Sequence, residues 1–351
     1  MQRRISRPVT VGGLSLGGGA RVTIQSMLSC PSHDIAANVA QAQRLEAAGC
    51  EIIRAAVPDK QAAGLVAALK EACRAPIVAD IHFDYRLALE SLAAGADKIR
   101  INPGNIGDQS RVKAVADACR SQHVPIRIGV NSGSIEKELL AKYGAPTPEA
   151  MTESAMNHVR LLEACDFNDI VISLKSSNVE QTVRAYELLA GRCDYPLHLG
   201  ITEAGTLRMG VVKSSVGIGA LLLRGIGDTI RVSLTADPVE EIRAAQDILQ
   251  ALGLGRDRPN IISCPTCGRT KIDIIALAEE AERRLEGCTK PITVAIMGCA
   301  VNGPGEAREA DIGLAGGDGC ALLFRKGEVL RKVPEAGALD ALMEEIERLH
   351  A

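Results

Sequence analysis

Short apolar runs alternate with helix-patterned stretches over residues 22–234, and this alternation limits the folds open to the chain. The runs recur about every 30 residues, the length of a strand–helix–strand unit with parallel strands. Eight such units favour a closed (β/α)8 barrel over an open, doubly wound sheet. The eight predicted strands are Val22–Met27, Glu51–Val57, Pro76–Ile81, Lys98–Pro103, Pro125–Ser132, Asp169–Lys175, Leu197–Thr202 and Thr229–Leu234.

The remaining sequence predicts two additions to this barrel. Pro8–Gly19 is glycine-rich and predicts a hairpin that plugs the bottom of the barrel. Gly253–Asn260 is a polar run with glycine and proline, which is typical of a linker. We therefore predict a barrel domain over residues 1–255 and a small α+β domain over residues 256–351.

The small domain carries helix and strand signals of its own. A helix is predicted from about Thr270, because Thr270 and Asp273 resemble a capping box, and a last helix near Leu339–Leu349. The predicted strands are Ile292–Met297, Asp311–Ala315, Ala321–Arg325 and Val329–Val333.

Composition argues against several kinds of partner. The net charge of −3 gives no general attraction to nucleic acid or anionic membranes, and a chain with no Trp, 4 Tyr and 3 Phe offers few base-stacking platforms. The 11 Cys are scattered and odd in number, which is typical of a reducing cytoplasm. The chain start has no signal-peptide core, and Lys213 and Arg224 interrupt the longest apolar stretch, Gly210–Gly227. We predict a buried helix there rather than a membrane span.

Polar side chains cluster where the predicted strands end, which is the mouth of such a barrel. Cations exceed carboxylates there, since only Asp80 and Glu203 oppose them, and this excess predicts an anionic ligand with two phosphates. The alternative is a buried ion-pair network that serves the fold alone. The predicted mouth residues are Arg54, Asp80, His82, Arg100, Asn102, Arg127, Asn131, Ser173, Lys175, Thr202, Glu203, Arg231 and Ser233, with Lys213 after the seventh strand.

A thiol motif marks the small domain. Cys264 and Cys267 form C-x-x-C, and Cys299 follows in a glycine-rich turn that also holds Glu306. Three thiolates with one non-cysteine ligand would leave one metal position exchangeable, as in sites that carry out chemistry. Cys288 and Cys320 are interpreted as small core residues. A structural zinc site with an unusual fourth ligand stays open as the alternative.

These motifs together resemble one family, the 4-hydroxy-3-methylbut-2-en-1-yl diphosphate synthases of the bacterial non-mevalonate isoprenoid pathway. The resemblance rests on C-P-T-C-G-R and M-G-C-A-V-N-G-P-G-E-A, and on the barrel segments E-I-I-R-A-A-V-P, A-D-I-H-F-D, I-R-I-N-P-G-N, R-I-G-V-N-S-G-S, S-L-K-S-S-N, G-I-T-E-A-G and I-G-D-T-I-R-V-S-L-T. It implies a [4Fe–4S] cluster held by Cys264, Cys267, Cys299 and Glu306. It also implies 2-C-methyl-D-erythritol 2,4-cyclodiphosphate as the substrate, and flavodoxin or ferredoxin as the electron donor.

The resemblance also suggests roles for single residues. Glu306 would be a displaceable ligand, and Glu203 would be the protein acid or base, against a purely structural pairing with Arg231 or Lys175. The residues expected to hold the diphosphate are Arg54, Arg100, Arg127, Lys175, Lys213 and Arg231. Those expected to orient the substrate are Asn102, Asn131, Ser173, Thr202 and Ser233, with Asp80 and His82 beside them.

Chain topology predicts a shared active site. The last barrel helix runs back to the bottom face, and an eight-residue linker spans at most about 26–29 Å. The thiol domain is therefore expected to serve the mouth of a second chain in a head-to-tail homodimer, which the resemblance also implies. Two rival functions remain: a zinc-stabilised barrel lyase or transferase acting on a phosphorylated small molecule, and a non-catalytic iron–sulfur sensor.

Overall fold

The computed structural model describes residues 2–102, 105–255 and 258–349. The chain divides into two compact units, Met1–Leu254 and Gly255–Ala351. Pro103, at the end of the predicted fourth strand, and the linker residues Arg256 and Asp257 lie outside the described residues.

The first unit begins with the predicted hairpin. Strands β1 (Val9–Val11) and β2 (Leu14–Leu16) pair antiparallel. Val9, Val11 and Leu16 pack with three apolar side chains at the starts of barrel strands, namely Ile52, Val78 and Val171. Because these strand starts lie at the bottom of the barrel, the predicted plug is confirmed.

Eight parallel strands form the barrel and confirm the predicted fold class. They are β3 (Thr23–Met27), β4 (Ile52–Ala56), β5 (Ile77–Asp80), β6 (Lys98–Ile101), β7 (Ile126–Asn131), β8 (Ile170–Lys175), β9 (His198–Leu199) and β10 (Thr229–Ile230). Their order is β8-β7-β6-β5-β4-β3-β10-β9, and a parallel bridge from Ile172 to Leu197 joins the two edges. β9 and β10 are shorter than predicted. At the end of the predicted eighth strand, the amide of Leu234 donates to the carboxylate of Glu241 rather than to a neighbouring strand.

Nine helices of the described residues surround the strands. They are α1 (Ile35–Ala47), α2 (Lys60–Ala72), α3 (Tyr85–Ala93), α4 (Gln109–Ser121), α5 (Lys137–Tyr143), α6 (Pro148–Glu163), α7 (Val179–Ala190), α8 (Leu207–Leu223) and α9 (Pro238–Ala251). Asp34, Asp59, Asp84, Asp108 and Asp237 each accept a hydrogen bond from an amide of the first helical turn. These N-caps explain why five of the helices start directly after an aspartate.

Helix α8 was predicted to be buried, but one of its faces is exposed. Ile218, Leu221 and Leu222 are buried, but Met209, Val212, Val216 and Leu223 on another face are exposed. The reason is its place in the outer layer, where one face packs inward and the other does not. Within the described ranges, every helix is too short or too polar to cross a bilayer.

In its described residues, 255 and 258–349, the second unit is one mixed sheet with three α-helices. Its strands are β11 (Asn260–Ser263), β12 (Thr293–Met297), β13 (Ile312–Gly317), β14 (Cys320–Arg325) and β15 (Glu328–Pro334), in sequential order. β11, β12 and β13 are parallel, whereas β14 and β15 are antiparallel to their neighbours. β11 was not predicted, because this four-residue strand is defined by its pairing with β12 rather than by a sequence pattern of its own.

The helices of this unit are α10 (Ile274–Arg284), α11 (Gly303–Glu306) and α12 (Ala338–Arg348). The predicted helix start at Thr270 is wrong, since Asp273 is the N-cap and accepts from the amide of Ala276. The Thr270 hydroxyl instead accepts from the amide of Cys267 at 3.1 Å. Thr270 therefore belongs to the thiol-bearing loop.

Candidate functional site

An ion-paired triad spans three neighbouring barrel strands. The Arg54 Nε lies 3.4 Å from one oxygen of Asp80, and the Arg100 Nη1 lies 3.0 Å from the other. Burial opposes ionisation of Asp80, but Arg54 and Arg100 outweigh it and hold the pKa of this carboxyl at about 2. Arg54 and Ile52 share a face of β4, as do Asp80 and Val78 of β5, and the hairpin packs on that face. The triad therefore lies inside the barrel.

Two glycines make room for cationic side chains beside this triad. A Cβ atom at Gly129 would lie 2.5 Å from the Nε of Arg100. A Cβ atom at Gly200 would lie 2.8 Å from the Nζ of Lys175. A glycine inside a strand often marks such a close approach. Gly129 and Gly200 thus let long cations cross the barrel interior.

A layer of unpartnered polar atoms lies on β6, β7 and β9. Arg127, Lys98 and His198 are buried, and several of their nitrogens have no hydrogen-bond partner among the described residues: the Lys98 Nζ, the Arg127 Nε and Nη1, and both ring nitrogens of His198. Burial lowers the pKa of all three groups, and neighbouring cations lower it further. Buried polar groups are normally satisfied by protein, water or ligand, so this layer is a candidate binding site for polar groups.

Arg127 of this layer was predicted, but Lys98 and His198 were missed. The signal for Lys98 was available, because Lys98 and Arg100 are two residues apart on β6 and share its face. For His198 there was less to find, since a histidine that opens a short strand is commonly a core residue.

Arg231 has a different counter-charge from the one considered in the sequence. Its Nη2 lies 3.2 Å from the Oε1 of Glu241 in α9, not beside Glu203. Glu241 is buried and also accepts from the hydroxyl of Ser26 at 2.8 Å. The prediction that only Asp80 and Glu203 oppose the cations is therefore wrong. Basic side chains remain in excess among the described residues here, since Asp80 and Glu241 face Arg54, Lys98, Arg100, Arg127, Lys175 and Arg231.

Glu203 lies in the loop after β9, with an exposed side chain. Its backbone φ is +51°, in the left-handed region that residues other than glycine seldom adopt. No ion pair joins Glu203 to another described residue, so the structural pairing with Arg231 or Lys175 is absent. The preceding Thr202 is fixed by its amide, which donates to the carbonyl of Ser176 at 3.3 Å. Backbone strain of this kind is concentrated at functional positions.

The other predicted mouth residues occupy varied places. Asn102 is buried just after β6, and Ser173 is buried within β8. Asn131 ends β7 and is half-buried, as is Ser233 after β10, whereas His82 is exposed in the loop after β5. Lys213 departs from the set, because it lies in the outer helix α8, about 9 Å along the axis from Leu207.

The thiol motif lies along one edge of the second unit's sheet. β11, β12 and β13 are parallel, with Ser263 opposite Ile296 and Met297 opposite Ala315, so their C-terminal ends meet at this edge. The amide of Gly298 donates to the Sγ of Cys264 at 3.2 Å, and the amide of Lys271 donates to the carbonyl of Gly298 at 2.9 Å. The C-x-x-C loop and the Cys299 turn are therefore bonded to each other.

The donors at this edge are accessible. Cys267 and Glu306 are exposed, while Cys264 and Cys299 are half-buried. The backbone amide of Arg269 lowers the pKa of the Cys267 thiol and so favours the thiolate. The Glu306 carboxylate accepts from the side-chain amide of Asn302 at 3.3 Å. Cys288 and Cys320 of the same unit are half-buried, and Cys288 packs against its apolar core.

The four predicted ligands are neighbours in the fold without being gathered. In the described part of the chain, no three His, Cys, Asp or Glu side chains are arranged to hold a metal ion. Three thiols and one carboxylate nevertheless form a donor set that suits an iron–sulfur cluster, and an amide that donates to a cysteine sulfur is typical of such sites. On donor chemistry and on this hydrogen bond, the residues fit the group.

Fold and site together define a class of protein: a (β/α)8 barrel with a cationic interior, followed by an α+β unit with a thiol-bearing sheet edge. The GcpE TIM-barrel domain matches residues 6–246, and the GcpE protein C-terminal domain matches residues 260–348. The chain belongs to the GcpE family.

Curated relatives match the chain over its whole length. One from Caldanaerobacter subterraneus subsp. tengcongensis is 56% identical over 347 residues, which cover 99% of this chain and 98% of the relative. One from Anoxybacillus flavithermus is 55% identical, with 99% and 96% covered, and one from Bacillus mycoides is 54% identical, with 100% and 96% covered. All three carry the name 4-hydroxy-3-methylbut-2-en-1-yl diphosphate synthase (flavodoxin).

Two solved structures match about 71% of this chain. Dihydropteroate synthase from Xanthomonas albilineans has a TM-score of 0.52 at 14% identity and covers 71% of this chain and 99% of its own. The 3-dehydroquinate dehydratase from Geobacillus kaustophilus has a TM-score of 0.51 at 14% identity and covers 71% and 98%. These likenesses support the fold and carry no argument about activity.

Proposed function

We propose that this chain converts 2-C-methyl-D-erythritol 2,4-cyclodiphosphate into (E)-4-hydroxy-3-methylbut-2-en-1-yl diphosphate. Two electrons enter, the bond between a ring carbon and a phosphate oxygen breaks, and a hydroxyl leaves with a proton as water. The observation that carries this proposal is the full-length identity of 54–56% to relatives with that name. The cationic barrel interior supports it independently, because a diphosphate supplies the missing negative charge.

The barrel, over residues 1–255, binds the substrate in this proposal. Arg54 and Arg100 are held on opposite oxygens of Asp80, which fixes their guanidinium planes before the substrate arrives. Arg127 has two unpartnered nitrogens that can donate to phosphate oxygens. The remaining contacts come from Lys175 and Arg231, while Asn102, Asn131, Ser173, Thr202, Ser233 and His82 orient the ligand. Lys213 is the weakest member, because it belongs to the outer helix layer.

Glu203 is the proposed acid or base of the reaction. Its exposed carboxylate is free of ion pairs to described residues, so it can exchange a proton without breaking a structural contact. Its left-handed backbone shows that the loop holds this residue in a costly conformation. A positioned carboxyl group contributes typically about 10²- to 10⁴-fold to such a rate.

The small unit, over residues 256–351, is proposed to hold a [4Fe–4S] cluster through Cys264, Cys267, Cys299 and Glu306. When bound, such a cluster supplies electrons and a Lewis-acidic iron. Glu306 suits an exchangeable ligand, because it is exposed and, among the described residues, its carboxylate accepts a hydrogen bond only from the Asn302 side chain. The electrons would come from flavodoxin, which is part of the relatives' names, or from ferredoxin. A reducing cytoplasm would keep the thiols free.

We also propose that two chains share each active site, head to tail. The acid and the cations belong to the barrel, whereas the thiols belong to the second unit of a partner. The test mixes a Cys264→Ala chain with a Glu203→Ala chain and isolates the heterodimer. Part of the wild-type turnover should return, because one intact site forms. Verified heterodimers without any turnover would contradict the shared site.

Iron, acid-labile sulfide and zinc per chain, measured in protein purified without oxygen, test the function. About four iron and four sulfide are expected, together with turnover of the cyclic diphosphate by reduced flavodoxin. Stoichiometric zinc without sulfide, and turnover without a reductant, would instead favour a zinc-stabilised lyase or transferase. A cluster without turnover would favour the sensor. Glu306→Ala separates these readings, since it should abolish turnover only where a catalytic cluster uses that ligand.

A further inference from the structure

A carboxylate fills a gap between two strands of the barrel. The register of β3 with β10 ends at Ile24 and Ile230, so the two strands part toward the mouth. In the gap, the hydroxyl of Ser26 on β3 donates to the carboxylate of Glu241 at 2.8 Å, and the amide of Leu234 after β10 donates to it at 3.0 Å. Glu241, in the first turn of α9, thus joins the two strands where their pairing ends.

The same carboxylate binds Arg231 at two points. The Nη2 of Arg231 donates to its Oε1 at 3.2 Å, and the Nε donates to its Oε2 at 3.4 Å. Two contacts of this kind fix the plane of a guanidinium as well as its distance. Ser26 is fully buried and the side chain of Glu241 is only 4% exposed, so the carboxylate has little freedom to move. The orientation of Arg231 is therefore set by α9 as well as by β10.

A second arginine lies across β3 from Arg231. β3 is flanked by β4 and β10, and Arg54 and Arg231 come from these two strands. Burial lowers the pKa of Arg54 to about 10; Asp80 opposes this effect, Arg231 adds to it, and Glu241 again opposes it. The two arginines therefore repel each other, and the two carboxylates offset the repulsion. Without the carboxylates the like charges would separate, whereas a diphosphate would need them together.

We propose that Glu241 is a positioning residue for substrate binding, which orients the guanidinium of Arg231 toward the diphosphate without contacting the substrate itself. The proposal deepens the proposed function and rests on it for the identity of the ligand. Asp80 has the matching role for Arg54 and Arg100. Each of these three guanidiniums is thus oriented, before the substrate arrives, by a carboxylate from another element of the fold.

Two substitutions separate the length of this side chain from its charge. Glu241→Asp keeps the charge but withdraws the carboxylate by one methylene, so KM for the cyclic diphosphate should rise about 10-fold while kcat stays within about twofold. Glu241→Gln keeps the length and can still accept from Arg231, so KM should rise by less than about threefold. A residue that served only as a counter-charge would give the reverse: wild-type binding in the Asp variant and tighter binding in the Gln variant.

A double-mutant cycle tests whether Glu241 acts through Arg231. In the Arg231→Gln background, Glu241→Asp should leave KM unchanged, because the group that it orients is already absent. A merely structural role would raise KM alike in both backgrounds and would lower the free energy of unfolding in urea. Glu240→Asp is the matched control, because Glu240 is the preceding residue of α9 and pairs with Arg243 at 2.7 Å instead.

Inorganic pyrophosphate is a probe of the same arginines that requires no turnover. Its dissociation constant, measured by calorimetry on the full chain, should rise about 10-fold in Glu241→Asp and stay near the wild-type value in Glu240→Asp. If Glu241→Asp does not fold, Ser26→Ala replaces it. This variant removes one anchor of the carboxylate but leaves its charge and length, and it should weaken pyrophosphate binding about threefold.

Failure of the positioning role and failure of the proposed function give different results. Wild-type binding in Glu241→Asp and Ser26→Ala, or an effect of Glu241→Asp that persists in the Arg231→Gln background, would overturn the positioning role. If pyrophosphate binding follows the expected order but the cyclic diphosphate is not turned over, the positioning role stands and the proposed function is wrong. A wild type that binds neither compound would overturn both.

Discussion

The barrel interior and the thiol edge both hold functional side chains, but they hold them in opposite ways. Inside the barrel, Asp80 is buried between Arg54 and Arg100. Each of these charged side chains is positioned by the strand to which it belongs. At the thiol edge, Cys267 and Glu306 are exposed, and α11 is only four residues long. The barrel fixes its groups by tertiary packing, whereas the edge presents donors on short loops.

This difference teaches where each site obtains its order. Charged groups on parallel strands are positioned by the sheet, so the fold itself builds the site. Donors on loops are held by a few local hydrogen bonds, such as that from the Gly298 amide to the Cys264 sulfur. We therefore expect changes in the barrel to alter stability and changes at the thiol edge to alter cofactor content.

Cys299→Ala should have the largest effect on activity. Removing one thiolate should abolish iron and sulfide binding and reduce turnover to background, while the barrel unfolds as in the wild type. Metal analysis, turnover and urea unfolding measure the three. Cys288→Ala is the control, because Cys288 packs against the same unit's core and is not a proposed ligand. Equal loss of iron in both variants would mean that the damage is general.

Glu203→Gln should lower turnover by about 10²- to 10⁴-fold. The free energy of unfolding should change by less than about 0.5 kcal/mol, because the side chain is exposed. Glu203→Gly should lose the same activity yet be more stable than the Gln variant, since glycine adopts φ +51° without strain. Full turnover in Glu203→Gln would remove this residue from the mechanism.

Asp80→Asn should destabilise the barrel by about 3–5 kcal/mol at neutral pH, because two largely buried guanidiniums lose their counter-charge. The pKa of Asp80 is depressed to about 2, so its contribution is fully present above about pH 4 and is lost as the pH falls through 2. The difference in the free energy of unfolding between wild type and variant, measured by urea unfolding, should therefore decrease as the pH falls from about 4 to 2.

Asp194→Asn provides the comparison for Asp80. Asp194 pairs with Arg7 at 2.7 Å, but both side chains are about half exposed. Solvent screens such a pair, so the loss should stay within about 1 kcal/mol. Equal losses from Asp80→Asn and Asp194→Asn would mean that burial does not strengthen the triad.

Gly298→Ala should give the smallest effect, a loss of about 1 kcal/mol confined to the second unit. The new methyl group would lie 3.0 Å from the Oγ1 and 3.1 Å from the Cγ2 of Thr270. Thr270→Ser removes the Cγ2 and should restore part of the loss in the double variant. Gly305→Ala is the control, since a Cβ atom there meets nothing within 4 Å. Thermal unfolding of the four proteins decides the point.

Much of the fold could be predicted because it depends on local patterns. The eight apolar runs form eight strands, and aspartates such as Asp34 and Asp59 are N-caps. Both features depend on residues that lie within a few positions of each other in the sequence. β11 was not predicted because it is defined by its pairing with β12, which lies more than 30 residues away in the sequence. The helix start predicted at Thr270 was wrong because a capping box and a loop hydrogen bond use the same residue types.

The sequence alone determined which chemical groups this protein has and the order in which strands would carry them. The alternation of strands and helices set the barrel, and the spacing of Cys264, Cys267 and Cys299 set the candidate ligands. Tertiary structure alone decided the ion-pair partners, which are Glu241 for Arg231 and Asp80 for two arginines. It also decided that one apolar face of α8, a helix expected to be buried, is exposed. Local propensity acts over a few residues, whereas counter-charge and burial depend on distant segments brought together by folding.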